Sequence, residues 1–338
     1  MAQKKVWQVE LSPFFDNTEF GGSTLTNDQT MAGTRLTPTV GLEVDSVHRI
    51  MAGVTVLQEF GSKYAIDSYA PIAYYAYSGK LVQFNMGAFN RSYAVKNYPR
   101  IFFQDSINYY RPIINGLSCN IAKNNSFFNV WLDWTGKQSA TQRETFFIGF
   151  SGRLQHSILY VQHYGYMMHY AKMNPAPPNQ FIHDNGLFLT SIGLDLTPKT
   201  KLTKLDINAG WICGAEDNRG TTNWLTHDGW MVDATIEYKG IGLKNSFYYG
   251  EKQQFFYPTE GNKLYWGDPF YRSTTYNRTD MYITFFESDK INTKFVYSLH
   301  TSENKLYHEQ GLYLTVNLNN YLPKSETKPH FLWRNKTK

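Results

Sequence analysis

The chain has 338 residues, 42% of them hydrophobic, 17% aromatic and only 18% charged, with a formal net charge of +5. That length allows one large domain or two ordinary ones, and the charged share lies below the roughly 25% usual in soluble globular domains. No stretch approaches the ~18–20 uncharged apolar residues of a membrane helix, which excludes a helical membrane protein, and no long Lys/Arg block supports nucleic-acid binding.

The chain starts Met-Ala-Gln-Lys-Lys and runs straight into a predicted strand, without an apolar signal segment. It is expected to be a mature form whose export signal has been removed. From Arg35 to Asp45, Leu36, Val40, Leu42 and Val44 share one face and Thr37, Thr39, Gly41 and Glu43 the other. This alternation of period two predicts a half-buried strand. Pro38 and Pro71 fall in or near such strands, where a ladder donor is missing, so bulges or shifted boundaries are expected there.

Val82, Phe84, Met86 and Ala88 alternate with Gln83, Asn85 and Gly87. A long irregular link then spans about 90–111, with Arg91, Arg100 and Arg111 set among many aromatic residues. Phe128, Val130, Leu132 and Trp134 alternate with Asn129, Trp131, Asp133 and Thr135, and Phe146, Ile148 and Phe150 with Thr145, Gly149, Ser151 and Arg153. Ile158–Tyr170 is apolar on both faces and its outer side cannot be read. Asp195 closes a later strand, and a link near 255–278 gathers Phe255, Phe256, Tyr257, Tyr265, Trp266, Phe270 and Tyr271. Rings at that density are expected to pack as a lid, against another loop or against a partner. Leu312, Leu314, Val316 and Leu318 alternate with Tyr313, Thr315 and Asn317, and the charged, proline-bearing stretch 323–338 reads as a periplasmic tail.

Connection lengths separate a sandwich from a barrel. Short links at Asp45–His48, Ser78–Gly79, Lys123–Asn125, Leu154–Ser157, Thr200–Lys204, Lys239–Gly240 and Ser288–Lys290 take turns with longer ones. The longer ones lie near 16–30, 62–69, 90–111, 137–142, 172–185, 217–223, 255–278 and 303–309. A Greek-key sandwich has no reason to keep that order, whereas outer-membrane barrels have tight periplasmic turns and longer extracellular loops. The reading is all-β: one transmembrane antiparallel barrel of about sixteen strands over 1–322, in the outer membrane, with both termini periplasmic. Cys119 and Cys213 lie in separate predicted strands and read as unpaired wall residues. Trp7, Trp134, Trp211, Trp224 and Trp230 fall at or near strand ends and suit the aromatic girdles.

The aromatic-rich strands FFNVWLDWTGK, RETFFIGFSGR and GLYLTVNLNNYL, with the rhythm of turns and loops, resemble porin-like outer-membrane β-barrel proteins of the Bacteroidetes type. The resemblance covers nearly the whole chain and implies a fold without naming a solute. It departs at the end, because the last candidate strand stops near Tyr321 rather than at a terminal aromatic residue.

Three functions are weighed. The first is a passive channel for small hydrophilic solutes, with Glu43, Asp133, Arg153 and Asp195 lining the pore and Arg91, Arg100 and Arg111 on an inward loop that favours anions. The second is a structural barrel holding a surface lipoprotein, with lipid and lipopolysaccharide around it. The third is a lipid hydrolase built on His300-Thr301-Ser302, whose His and Ser share a strand face. Phe295, Tyr297 and Leu299 look lipid-facing, which turns that pair inward, and no third group orients the His. The expectation is therefore a barrel without catalytic activity and without cofactor or metal. His163 and His169 share a face but lie too far apart for one ion, and no HExxH, CxxC or calcium-loop pattern occurs.

Overall fold

A computed structural model describes residues 3–95, 97–321 and 330–331. Sixteen long strands succeed one another: β1 (Gln3–Glu19), β2 (Gln29–Val44), β3 (His48–Glu59), β4 (Ser68–Ser78), β5 (Val82–Asn90), β6 (Ile113–Lys123), β7 (Ser126–Gly136) and β8 (Thr145–His156). β9 (Leu159–Tyr170), β10 (His183–Asp195), β11 (Lys204–Asn218), β12 (Leu225–Tyr238), β13 (Ile241–Gly250), β14 (Thr275–Glu287), β15 (Ile291–Ser302) and β16 (Lys305–Asn319) complete the set. Each pairs antiparallel with the next, and β1 pairs with β16 from Gln8↔Asn319 to Glu19↔His308. The sheet is closed, so every strand has two neighbours and the backbone is satisfied without water. No helix among the described residues is long and apolar enough to cross a membrane. The expected tail at 323–338 lies outside the described residues, apart from His330–Phe331, which pair with Glu287 and Phe286 of β14.

The two prolines are accommodated differently. Leu36 pairs with Val56 and Thr39 with Gly53, with no pairing between them, so Pro38 opens the β2–β3 ladder without shifting its register. Pro71 pairs with Val54 of β3, while the β4–β5 ladder begins only at Ala73. Its missing donor therefore costs no bond to β5. One expected loop is absent: β15 and β16 are joined by Glu303 and Asn304, with φ of 55° and 59°. Positive φ at both central residues is the tight hairpin geometry that follows strand twist, so the outer connection expected at 303–309 is a two-residue turn.

Alternation divides outside from inside as the sequence indicates. Val40, Leu42, Phe128, Ile148, Leu312 and Leu318 are exposed on the outer face, while Glu43, Asn129, Asp133, Ser151 and Glu309 are buried within. β9 resolves in the same way, with Val161 and Met167 outward and Tyr160, Tyr164, Tyr166 and Met168 inward. Its inner face is apolar because the lumen there is packed with protein. The link 91–112, carrying α1 (Ser92–Val95) and α2 (Ser106–Tyr110), enters the barrel and buries Phe102 and Phe103 against Tyr164, Tyr166, Trp131 and Phe147. The link 251–274, carrying α3 (Tyr257–Glu260), enters from the same end and buries Tyr265, Trp266, Phe270 and Tyr271. The two meet through backbone bonds, Gln104 N–H to Trp266 O at 2.7 Å and Asp268 N–H to Arg100 O at 2.9 Å.

Candidate functional site

The charged residues expected to line a pore are mostly spent on one another. Arg91 pairs with Asp133 at 2.6 Å, both nearly inaccessible, and also donates to the carbonyls of Arg111 and Ile113. Arg100 bridges Asp105 at 2.8 Å and Asp280 at 2.9 Å, and the Arg111 guanidinium lies 4.5 Å from the Trp266 ring centre. Glu43 pairs with Arg49 at 3.3 Å; Arg153 stacks 3.5 Å from the Tyr160 ring centre, with Asp195 at 3.9 Å and Asp206 at 3.8 Å. Of these, the Arg91–Asp133 and Arg100–Asp280 pairs tie the first loop to β7 and β14. Tyr98 donates to Gly165 O on β9, Asn129 on β7 donates to Ala94 O, and the Tyr109 hydroxyl donates to Asp16 on β1.

Three histidines merit chemical comparison. His300 faces inward and is 1% exposed. Its Nδ1 meets the Tyr276 hydroxyl at 2.7 Å and its Nε2 meets Glu309 at 3.0 Å, while Glu309 is also held by Arg278 at 2.9 Å. Ser302 bonds to Ser273 instead of His300. Both ring nitrogens are occupied within a closed ionic network, which suits locking β14, β15 and β16 together better than activating a nucleophile.

His308 faces outward near the outer end of β16. Its Nδ1 meets the Tyr297 hydroxyl at 2.7 Å, and no carboxylate among the described residues bonds to its ring. Nearby, Asn17 donates to Gln310 at 2.8 Å and accepts from Thr30 at 2.6 Å. This is a polar rim without an oriented base.

His169 differs from both. It stands one residue from the outer end of β9 and pairs across the hairpin with Asp184 of β10. Odd-numbered residues of β9 and even-numbered residues of β10 point outward, so both side chains are on the lipid-facing side. His169 Nδ1 lies 2.7 Å from Asp184 Oδ1, and Arg219 Nε donates to Asp184 Oδ2. The Asp184 side chain is 8% exposed, that of His169 21% and that of Arg219 56%. A carboxylate at Nδ1 fixes the tautomer and leaves Nε2 as the basic nitrogen, the arrangement that hydrolytic bases require. No protein group among the described residues bonds to that Nε2. The His169 ring lies 5.1 Å from Phe146, which lies 5.0 Å from Trp134, so the dyad sits level with the aromatic girdle. Arg143 braces the loop beneath by donating to Ala171 O at 2.6 Å and Tyr170 O at 3.0 Å. Among the described residues no group of three or more His, Cys, Asp or Glu side chains could hold a metal ion.

The family model for lipid A 3'-O-deacylase-type proteins matches residues 3–325. The chain belongs to that family. No curated protein matches it in a whole-sequence search. Among solved structures, this deacylase-type barrel is similar to a loop-deletion mutant of OmpT, an outer membrane protein of Vibrio cholerae, at 10% identity and a TM-score of 0.56, with 94% of this chain and 100% of that chain covered. It is also similar to an anion-selective porin from Comamonas acidovorans, at 7% identity and a TM-score of 0.55, covering 94% and 99%. Pseudomonas putida OprB matches at 9% identity and a TM-score of 0.52, covering 94% of each chain. Identities this low speak for the fold alone: a porin-like barrel of the outer membrane.

Membership of an enzyme family corrects the expectation of a barrel without catalytic activity. The sequence shows a His and its partner only when both lie within one short segment, and pairs made by strand register stay hidden in it. Asp184 is fifteen residues from His169 in sequence and becomes its neighbour only through hairpin register. The missing third group for His300 was hidden in the same way, since Glu309 arrives from β16. Pairing the ends of Ile158–Tyr170 with the strand after the 172–185 link would have been the available signal.

Proposed function

We infer that the protein hydrolyses an ester-linked acyl chain of lipid A in the outer leaflet, with the His169–Asp184 pair as its base and orienting carboxylate. The observation that carries this reading is the position of an oriented imidazole on the lipid-facing wall at girdle height, in a chain of the deacylase-type family. Acyl esters of a saccharolipid lie where sugar meets hydrocarbon, so a base at that depth reaches them without drawing the chain out of the bilayer. His169 Nε2 would take a proton from water as its oxygen adds to the ester carbonyl. Collapse of the tetrahedral intermediate breaks the C–O bond, and the proton returns to the departing sugar hydroxyl. Asp184 steadies the imidazolium throughout, and the exposed edge of Arg219 is available to the developing oxyanion or to a lipid phosphate.

A passive channel has less in its favour, because two loops cross the lumen and the arginines proposed as its filter are bound within them. Under the hydrolase reading Arg91, Arg100 and Arg111 anchor those loops. Mass spectrometry of lipid A incubated with the purified barrel tests the reading. Wild type should release a fatty acid and His169→Asn should not, whereas release by His169→Asn at the wild-type rate would remove this site from the chemistry.

A further inference from the structure

Below the two inward loops lies a recess of about 410 Å³, open toward the end of the barrel where Lys204 begins β11. Five cationic and two carboxylate side chains line it. Two of the cations, Arg100 and Arg278, are already neutralised by Asp280, at 2.9 Å and 2.7 Å, and Arg278 also by Glu309 at 2.9 Å.

Lys244 is left over by that arrangement. It stands directly opposite Asp280 in the β13–β14 register, where a cross-strand ion pair would ordinarily form. Asp280 instead bridges two guanidiniums, and among the described residues no carboxylate comes within 4.0 Å of the Lys244 ammonium. Arg153, at the far side of the recess, is already engaged, with carboxylates at 3.8 Å and 3.9 Å, Gln155 accepting from its Nε at 3.1 Å and its face on Tyr160. A concave site with low-dielectric walls concentrates the field of a cation such as Lys244. Asp206 and Asp233 face the same recess, and Tyr164 and Tyr271 wall it. A bare anion needs cations alone. Cations beside carboxylates and phenol rings suit a ligand that carries a negative group on a hydroxyl-bearing ring.

We propose that this recess binds a small soluble phosphate monoester of a sugar. The phosphate lies against Lys244, the hydroxyls donate to Asp206 and Asp233, and the ring packs against the tyrosines. Its volume is in the range of about 300–1,000 Å³ typical of small-molecule sites. The recess is inside the wall and the His169 pair outside it, so either assignment can fail alone.

Calorimetric titration of the full chain in a neutral polyoxyethylene detergent tests this, with glucose 6-phosphate, inorganic phosphate and glucose as probes. The ester should bind saturably, inorganic phosphate more weakly and glucose not measurably. Lys244→Gln should weaken the ester roughly ten- to a hundredfold, the loss of one charge-assisted hydrogen bond, and Lys244→Arg should restore most of it. Heat-modifiable migration in gels confirms that each variant is folded. Nanodiscs of phosphatidylglycerol and of phosphatidylcholine should give equal affinity. No saturable binding of the ester, wild-type affinity in folded Lys244→Gln, glucose binding as tight as the ester, or competition by phosphatidylglycerol would each overturn the proposal.

Discussion

Replacing Arg91 by Met tests whether the first inward loop is anchored or merely lodged. The Arg91 and Asp133 side chains are 3% and 1% exposed, and they meet at 2.6 Å. Nη2 of Arg91 also donates to Ile113 O at 2.9 Å and Nε to Arg111 O at 2.6 Å. The substitution removes all three bonds and leaves Asp133 with the backbone N–H of Asn115 at 3.0 Å. Breaking one side of a buried ion pair costs about 3–5 kcal/mol, mostly because a desolvated charge is stranded. Replacing both partners by apolar groups strands nothing, so Arg91→Met with Asp133→Leu should be more stable than Arg91→Met alone. Urea unfolding in lipid vesicles, followed by tryptophan fluorescence, reads both differences. A single variant within about 1 kcal/mol of wild type, or a double variant less stable than the single, would refute the anchoring role.

Leu314→Arg and Val316→Arg should each destabilise the barrel by about 2–4 kcal/mol in lipid, and Thr315→Arg far less, because β16 turns only the first two outward; equal losses in urea would reverse the face assignment. Burial alone would raise the Glu303 carboxyl, but hydrogen bonds from Thr24, Ser23 and Tyr307 outweigh it and hold it below the ordinary value of 4.5. A depressed folded pKa gives stability that is present above about 4.5 and lost as pH falls through the lower folded value. Amide protection in the link 20–28, corrected for the intrinsic exchange rate at each pH, should therefore fall on acidification, and Glu303→Gln should flatten that response; an unchanged protection profile in the variant would show that Glu303 does not hold the link. Replacing Arg91, Arg100 and Arg111 together by Gln should loosen the loops and raise protease sensitivity more than it moves reversal potentials. A large shift toward cations with unchanged protease resistance would return those arginines to an ion filter.

The wall was legible because lipid imposes a strict code: backbone pairing must close, and every second side chain must be apolar. Leu312 to Leu318 show that code directly, as do the alternating link lengths. The contents of the barrel were less legible. A loop that packs inside obeys no period, so only its length suggested an inward fold for 90–111, and only the density of rings suggested packing for 255–278. It also erased the code locally, since Tyr164 and Tyr166 of β9 face protein rather than water. An inward loop carrying Arg91, Arg100 and Arg111 was one of two readings of that link, but Asp133 and Asp280, which hold Arg91 and Arg100 to the wall, come from strands distant in sequence. Asp184 escaped notice for a related reason, because its partnership with His169 exists only once β9 and β10 are in register.

Lipid A hydrolysis by variants of the three histidines is the most direct measurement. Wild type, His169→Asn, His300→Asn and His308→Asn, each verified as folded by heat-modifiable migration, should be incubated with lipid A in mixed micelles and the products weighed by mass spectrometry. His169→Asn should lose roughly a hundredfold or more of the acyl-release rate, the usual contribution of a positioned general base, while folded His300→Asn and His308→Asn retain most of it. Acyl release undiminished in His169→Asn but abolished in His308→Asn or His300→Asn would place the chemistry elsewhere, and no release by wild type would contradict the account altogether.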